Sequence, residues 1–142
     1  MGKVKLEFIT ENQRVNYYSL LEKIGKNADY IDINYTSTLY LLSINDAVAT
    51  SMLKYISKNG INFKNALEKE KYLAEKEVIL INIALELWKN GTENKISITD
   101  IVRLNSKETE ALLNAIKIYT FYEAKVKWDK QMDAFLQKTA QE

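Results

Sequence analysis

No proline interrupts this 142-residue sequence, and glycine occurs only at positions 2, 25, 60 and 91. Average usage would supply roughly seven prolines and ten glycines over the same length. Proline removes a backbone donor and glycine makes the unfolded chain costly to order, so both are scarce inside helices and concentrate in turns. The sequence is therefore expected to be all-α, one compact domain of about five to seven helices with short polar connections.

Histidine and cysteine are both absent. Disulfides, thiolate zinc sites, imidazole ligands and every nucleophile–base pair built on Cys or His are thereby excluded. The remaining carboxylates, lysines, tyrosines and hydroxyls fall into no spacing of a known site. No catalytic, cofactor-binding or metal residue is assigned, and a non-enzymatic protein without a cofactor is expected. Twenty basic residues against nineteen acidic ones leave a net charge of +1 and no field to gather nucleic acid or an anionic membrane. Only Arg14 and Arg103 offer the bidentate fork suited to phosphate or guanine, so a nucleic-acid reader is the less favoured alternative. The longest apolar run, Val78 to Leu85 interrupted by Asn82, is far short of the roughly 20 residues that span a bilayer. With no apolar stretch near Met1 resembling a signal peptide, cytoplasmic residence without membrane contact is expected.

Along the chain, Val4, Leu6 and Phe8 alternate with charges, the pattern of a short strand or an extended arm over residues 1–9. Thr10 and Gln13 form a capping-box signature, and Val15, Tyr18, Leu21 and Ile24 mark the apolar face of a helix over 11–24, stopped by Gly25. A second helix, capped by Asp29 or Asp32, should end near Ser43. A third is predicted over 46–58, with Val48, Met52, Leu53 and Ile56 inward and Asn59-Gly60 as its stop. Residues 65–76 read as a charged helix or linker anchored by Leu67, Tyr72 and Leu73. From Glu77 to Trp88 apolar residues point nearly all round the axis, which predicts the central core helix, closed at Asn90-Gly91. Ser97 or Thr99 can cap a short helix, and Asn105-Ser106 a long last one over 106–138. The helical core is placed at 10–122 and a C-terminal extension at 123–142. Lys-Asn-Gly at 58–60 and 89–91, with Gly25-Lys26-Asn27, suits helix C-termini and needs no internal repeat.

The last helix carries two stripes. At about 100° per residue, Leu112, Ala115, Ile116, Tyr119, Tyr122 and Val126 share one face, assigned to the core. Phe121, Trp128, Met132 and Phe135 lie on another, spaced by seven, four and three residues as in a helix-pairing seam. One small core cannot cover both, so the second stripe either folds back or meets another molecule. It is the candidate protein interface, with Trp128 as anchor and Lys125, Lys127 and Lys130 on its rim. Asn82 and Glu86, one turn apart in the most apolar helix, form a candidate polar site that could line a ligand pocket. The tyrosines at 17, 18, 30, 35, 40 and 55 are expected in the core and at protein interfaces.

Several segments resemble a family of small uncharacterised helical proteins of low-GC Gram-positive bacteria and their phages. They are Phe8 with Arg14 to Tyr18, Tyr40-Leu-Leu-Ser-Ile-Asn-Asp46 with a helix ending at Gly60, Leu85-Glu-Leu-Trp-Lys-Asn-Gly91, Ser97-Ile-Thr-Asp100, and Leu113-Asn-Ala-Ile-Lys-Ile118. Together they span about residues 8–119. The sequence differs from that pattern at Glu86, where a neutral amide is expected, and in its continuation beyond Tyr122. The resemblance implies no catalytic residue. It implies a phage or mobile-element accessory or counter-defence factor, whereas the expectation of a protein-interaction module, a homodimer or larger or a hetero-complex, comes from the second stripe of the last helix.

Overall fold

A computed structural model describes residues 6–25, 33–89, 91–93 and 95–140, with side chains in the last helix described to Thr120 and at Ala134, Phe135 and Leu136. Among the described residues seven α-helices follow one another: α1 (Glu11–Ile24), α2 (Ile33–Leu42), α3 (Asp46–Met52), α4 (Phe63–Lys69), α5 (Glu75–Trp88), α6 (Ile98–Val102) and α7 (Ser106–Ala140). A 3-10 turn (Leu53–Tyr55) and a minimal hairpin, β1 (Ile56–Ser57) against β2 (Gly60–Ile61), sit between α3 and α4. The described residues are thus mostly helical, in keeping with the scarcity of helix breakers.

Local chemistry sets most helix ends. The Thr10 hydroxyl accepts from the Gln13 N–H at 3.0 Å, and Gly25 closes α1 in the left-handed region with its N–H on the Glu22 carbonyl. Ser97 and Asp100 cap α6 reciprocally, as do Asn105 and Glu108 at α7, where the two bonds measure 2.8 and 3.0 Å. Each such cap satisfies backbone donors that the first helical turn leaves over.

The centre of the core is α2, not α5. Every residue from Thr36 to Leu42 is buried, and the helix packs most extensively on α7 and α5. Its central Thr36-Ser37-Thr38 disguises that role in the sequence. Conversely, α5 is not enclosed on all sides. Glu75, Val78, Asn82, Glu86 and Lys89 recur at helical spacing and are all half-buried or exposed, while Ile79, Leu80, Ile81, Ile83, Ala84 and Leu85 are buried.

Other faces differ from expectation in the same way. α1 buries Gln13, Tyr17, Leu20 and Ile24, leaving Val15 and Tyr18 exposed. Buried Gln13 explains the rotation. Its Oε1 accepts from the Ile9 N–H at 2.7 Å and its Nε2 donates to the Tyr40 carbonyl at 3.0 Å, so a polar residue holds the segment before α1 against α2. In α7, Glu108, Ala111, Leu112 and Ala115 form the buried face and Ile116 is exposed. Tyr122 and Val126 have side chains outside the described residues.

The third helix ends at Met52, six residues before the expected Lys58. Asn59-Gly60 is used by the hairpin instead. Ser57 pairs with Gly60, and Gly60 takes φ +132°, a backbone region closed to side-chain-bearing residues. The charged segment that follows is anchored as α4 by buried Phe63 and Ala66, whereas Tyr72, expected to be an anchor, is fully exposed. The capping Asp29 or Asp32 lies outside the described residues.

Before α1, residues 6–8 form no strand. The Phe8 ring packs 5.4 Å from that of Tyr17, 5.9 Å from Tyr18 and 5.8 Å from Tyr40. The Tyr40 hydroxyl donates to the Glu7 carbonyl at 2.6 Å and accepts from Asn114 Nδ2 at 3.0 Å, linking this segment through α2 to α7. Val4 lies outside the described residues.

Candidate functional site

The apolar seam expected to dock a protein lies on α7. The helix backbone continues through residues 121–136, so the spacing of Phe121, Trp128, Met132 and Phe135 is a helical spacing. Phe135 is 63% exposed and its neighbour Leu136 57% exposed. The side chains of Phe121, Lys125, Lys127, Trp128, Lys130 and Met132 lie outside the described residues. Nearer the core, Leu113 and Ile116 share an outward face of the same helix and are also exposed. The sequence reading missed both, having placed Ile116 inward. Their signal was the small, closely spaced Ala111 and Ala115, which let α7 approach α2 and turn its larger residues out.

A second exposed apolar pair stands on α6. Ile98 and Val102, one turn apart, are 78% and 72% exposed, while Ile101 packs on the core. Exposed residues of this size are the usual currency of protein interfaces when they cluster. Four lie on α7 and two on α6.

The polar pair on α5 has a different arrangement. Asn82 and Glu86 are half-buried on its outer stripe. A Glu86 carboxylate oxygen accepts from the Lys95 backbone N–H at 3.2 Å, and the Glu86 carbonyl accepts from the Gly91 N–H at 2.7 Å. Glu86 therefore ties down the connection that leaves α5. No described group beside it completes a catalytic pair, and among the described residues no cluster of carboxylates has the arrangement of a metal site.

What this tie creates is a groove that sequence reasoning did not anticipate. It has a volume of about 520 Å³, with α4 on one side and the end of α5, Glu93 and Lys95 on the other. Its floor includes Phe63, Leu67 and Leu85, and Lys64, Lys89 and Lys95 stand around it with Glu68 and Glu93.

Elsewhere ion pairs join Arg14 to Glu11, Lys54 to Glu70 and Arg103 to Glu75. Glu70 Oε1 accepts from Lys54 Nζ at 2.6 Å and from the Tyr55 hydroxyl at 3.1 Å. The Lys54 ammonium holds the Glu70 carboxyl below its usual range. Desolvation raises Tyr55, and the Glu70 carboxylate adds to the shift. The third helix reads Asp-Ala-Val-Ala-Thr-Ser-Met and contains no basic residue to set against a phosphate. The nearest lysine, Lys54, is already paired. Among the described residues no helix is long and apolar enough to cross a membrane. No family model, characterised protein or solved structure gives a significant match to the chain.

Proposed function

We propose that the protein is a non-enzymatic, cytoplasmic protein-docking module whose long C-terminal helix carries the docking surface. The observation that supports this reading is the exposure of large apolar side chains at both ends of α7, Leu113 and Ile116 near the core and Phe135 and Leu136 towards its end. The heptad-like spacing of Phe121, Trp128, Met132 and Phe135 suits a partner that is itself a helix. A second copy of α7 is the simplest such partner. The phage or mobile-element setting, as an accessory or counter-defence factor, rests on the family resemblance alone.

The test is charge insertion in the full-length chain. In Phe135→Glu/Leu136→Glu the helix is retained, because both positions are exposed and glutamate is a good helix former. The variant should sediment as a monomer under conditions where the parent is a dimer or larger. Identical sedimentation of the two proteins at every concentration would reject docking through this surface.

A further inference from the structure

We propose that the groove between α4 and α5 is a binding site for a small amphipathic anion, an apolar body carrying one carboxylate or similar head group. This site is separate from the α7 surface and does not depend on it. Its construction begins with two turns. Asn62 caps α4 by accepting from the Asn65 N–H at 3.1 Å, which places Phe63 at the first position of the helix, buried, with Leu67 one turn later and half-buried. Opposite them, Leu85 comes from the last turns of α5. These side chains give the floor an apolar character that water wets poorly.

The rim has the opposite character. Lys64, Lys89 and Lys95 are exposed and line the same groove, and among the described residues none of them is paired with a carboxylate, although Arg14, Lys54 and Arg103 each are. Glu68 and Glu93 also line it, four residues after Lys64 and Lys89. On α4 the order Lys64 then Glu68 is the weaker one for a helical ion pair, with the cation on the N-terminal side, and Lys89 lies past the end of α5, so no helical turn sets it against Glu93. The three ammonium groups therefore remain available to an incoming anion, against two carboxylates that would repel it. Lys95 is held in place by the Glu86 bond to its N–H, which gives the polar residue of α5 a role as a positioning residue. An apolar floor with a predominantly cationic rim selects against neutral and cationic amphiphiles of the same length. The volume of about 520 Å³ lies within the range of small-molecule sites.

The experiment is a titration of the ¹⁵N-labelled full-length protein with decanoate below its micelle concentration, followed by amide chemical shifts. Decyltrimethylammonium is the matched cationic control, and Lys64→Glu/Lys89→Glu the test variant. Both substituted positions are exposed, so the variant should keep the parent's amide spectrum away from the groove. The proposal expects saturable shifts centred on Ile61 to Leu67, Lys89 and Lys95, an affinity at least about tenfold weaker in the variant, and no saturable shift at these amides with the cation. Absence of saturation, shifts centred elsewhere, equal affinity in parent and variant, or equal binding of decyltrimethylammonium would each overturn it.

Discussion

Gln13 shows how much one side chain decides. It is a polar residue at a fully buried position, and its two bonds, to Ile9 N–H and the Tyr40 carbonyl, fasten the segment before α1 onto α2. Gln13→Ala strips the Ile9 N–H of its acceptor and opens space, while the Tyr40 carbonyl keeps the Ser43 hydroxyl at 2.7 Å, so chemical denaturation should show a loss of about 2 kcal/mol. Thr38 predicts the opposite sign. Its hydroxyl is buried and has no hydrogen-bond partner among the described residues, so Thr38→Val, nearly isosteric, should raise stability by about 1 kcal/mol in the same assay. Tyr17 gives a pH signature. Burial pushes its hydroxyl up from 10.0 to about 12. A folded-state value above the unfolded one means that stability is fully present below pH 10 and is lost as pH rises towards 12, because only the unfolded chain gives up the proton early. Tyr17→Phe removes that drive and should move the alkaline unfolding midpoint, followed by circular dichroism, to higher pH. Neither buried polar position was legible from periodicity, which ranks residues by hydropathy and placed Val15 and Tyr18 where Tyr17 and Leu20 lie.

Helix termini were the most legible elements, because a cap is a local bond between residues three apart. Thr10 with Gln13, the caps Ser97 and Asn105, and the left-handed glycines 25 and 91 were legible in the sequence, while Thr99 is not the cap and the return bonds of Asp100 and Glu108 appear only in the structure. Asn59-Gly60 shows the limit of such local signals. The pair serves a helix stop and a hairpin equally well, and the choice was made by the packing of Ile56 and Phe63 into the core on either side of the turn. Gly60→Ala should therefore cost about 1–3 kcal/mol from backbone strain at φ +132°, read as a lowered denaturation midpoint. The space is not the cause. A methyl group there would meet only the Tyr35 hydroxyl, at 4.0 Å. Which helix is central was also hidden, since α2 carries Thr36, Ser37 and Thr38 in its most buried stretch while α5 has the more apolar sequence.

At the scale of the whole molecule, composition was a dependable guide to what is missing and a poor one to surface arrangement. The absence of histidine leaves no side chain with an ordinary titration between about pH 5 and 8. Stability should accordingly be flat there, and a pronounced slope in a pH series of denaturation curves would contradict the structure. The groove between α4 and α5 was not legible at all, because it joins Ile61 to Glu68 with Leu85, Lys89, Glu93 and Lys95 through tertiary packing rather than sequence proximity. The α7 surface was legible in part. Its heptad-like spacing was visible, but Leu113 and Ile116 emerged only once Ala111 and Ala115 were seen to carry the contact with the core.

The central claim, that α7 docks a protein partner and most simply a second copy, is tested most directly by the absolute mass in solution. Light scattering of the full-length protein over a concentration series should give a dimer or larger species, and Phe135→Glu/Leu136→Glu should return it to the monomer mass of 16.5 kDa with its helical circular dichroism intact. A full-length protein that stays at the monomer mass throughout, or a variant that associates as the parent does, would contradict the account.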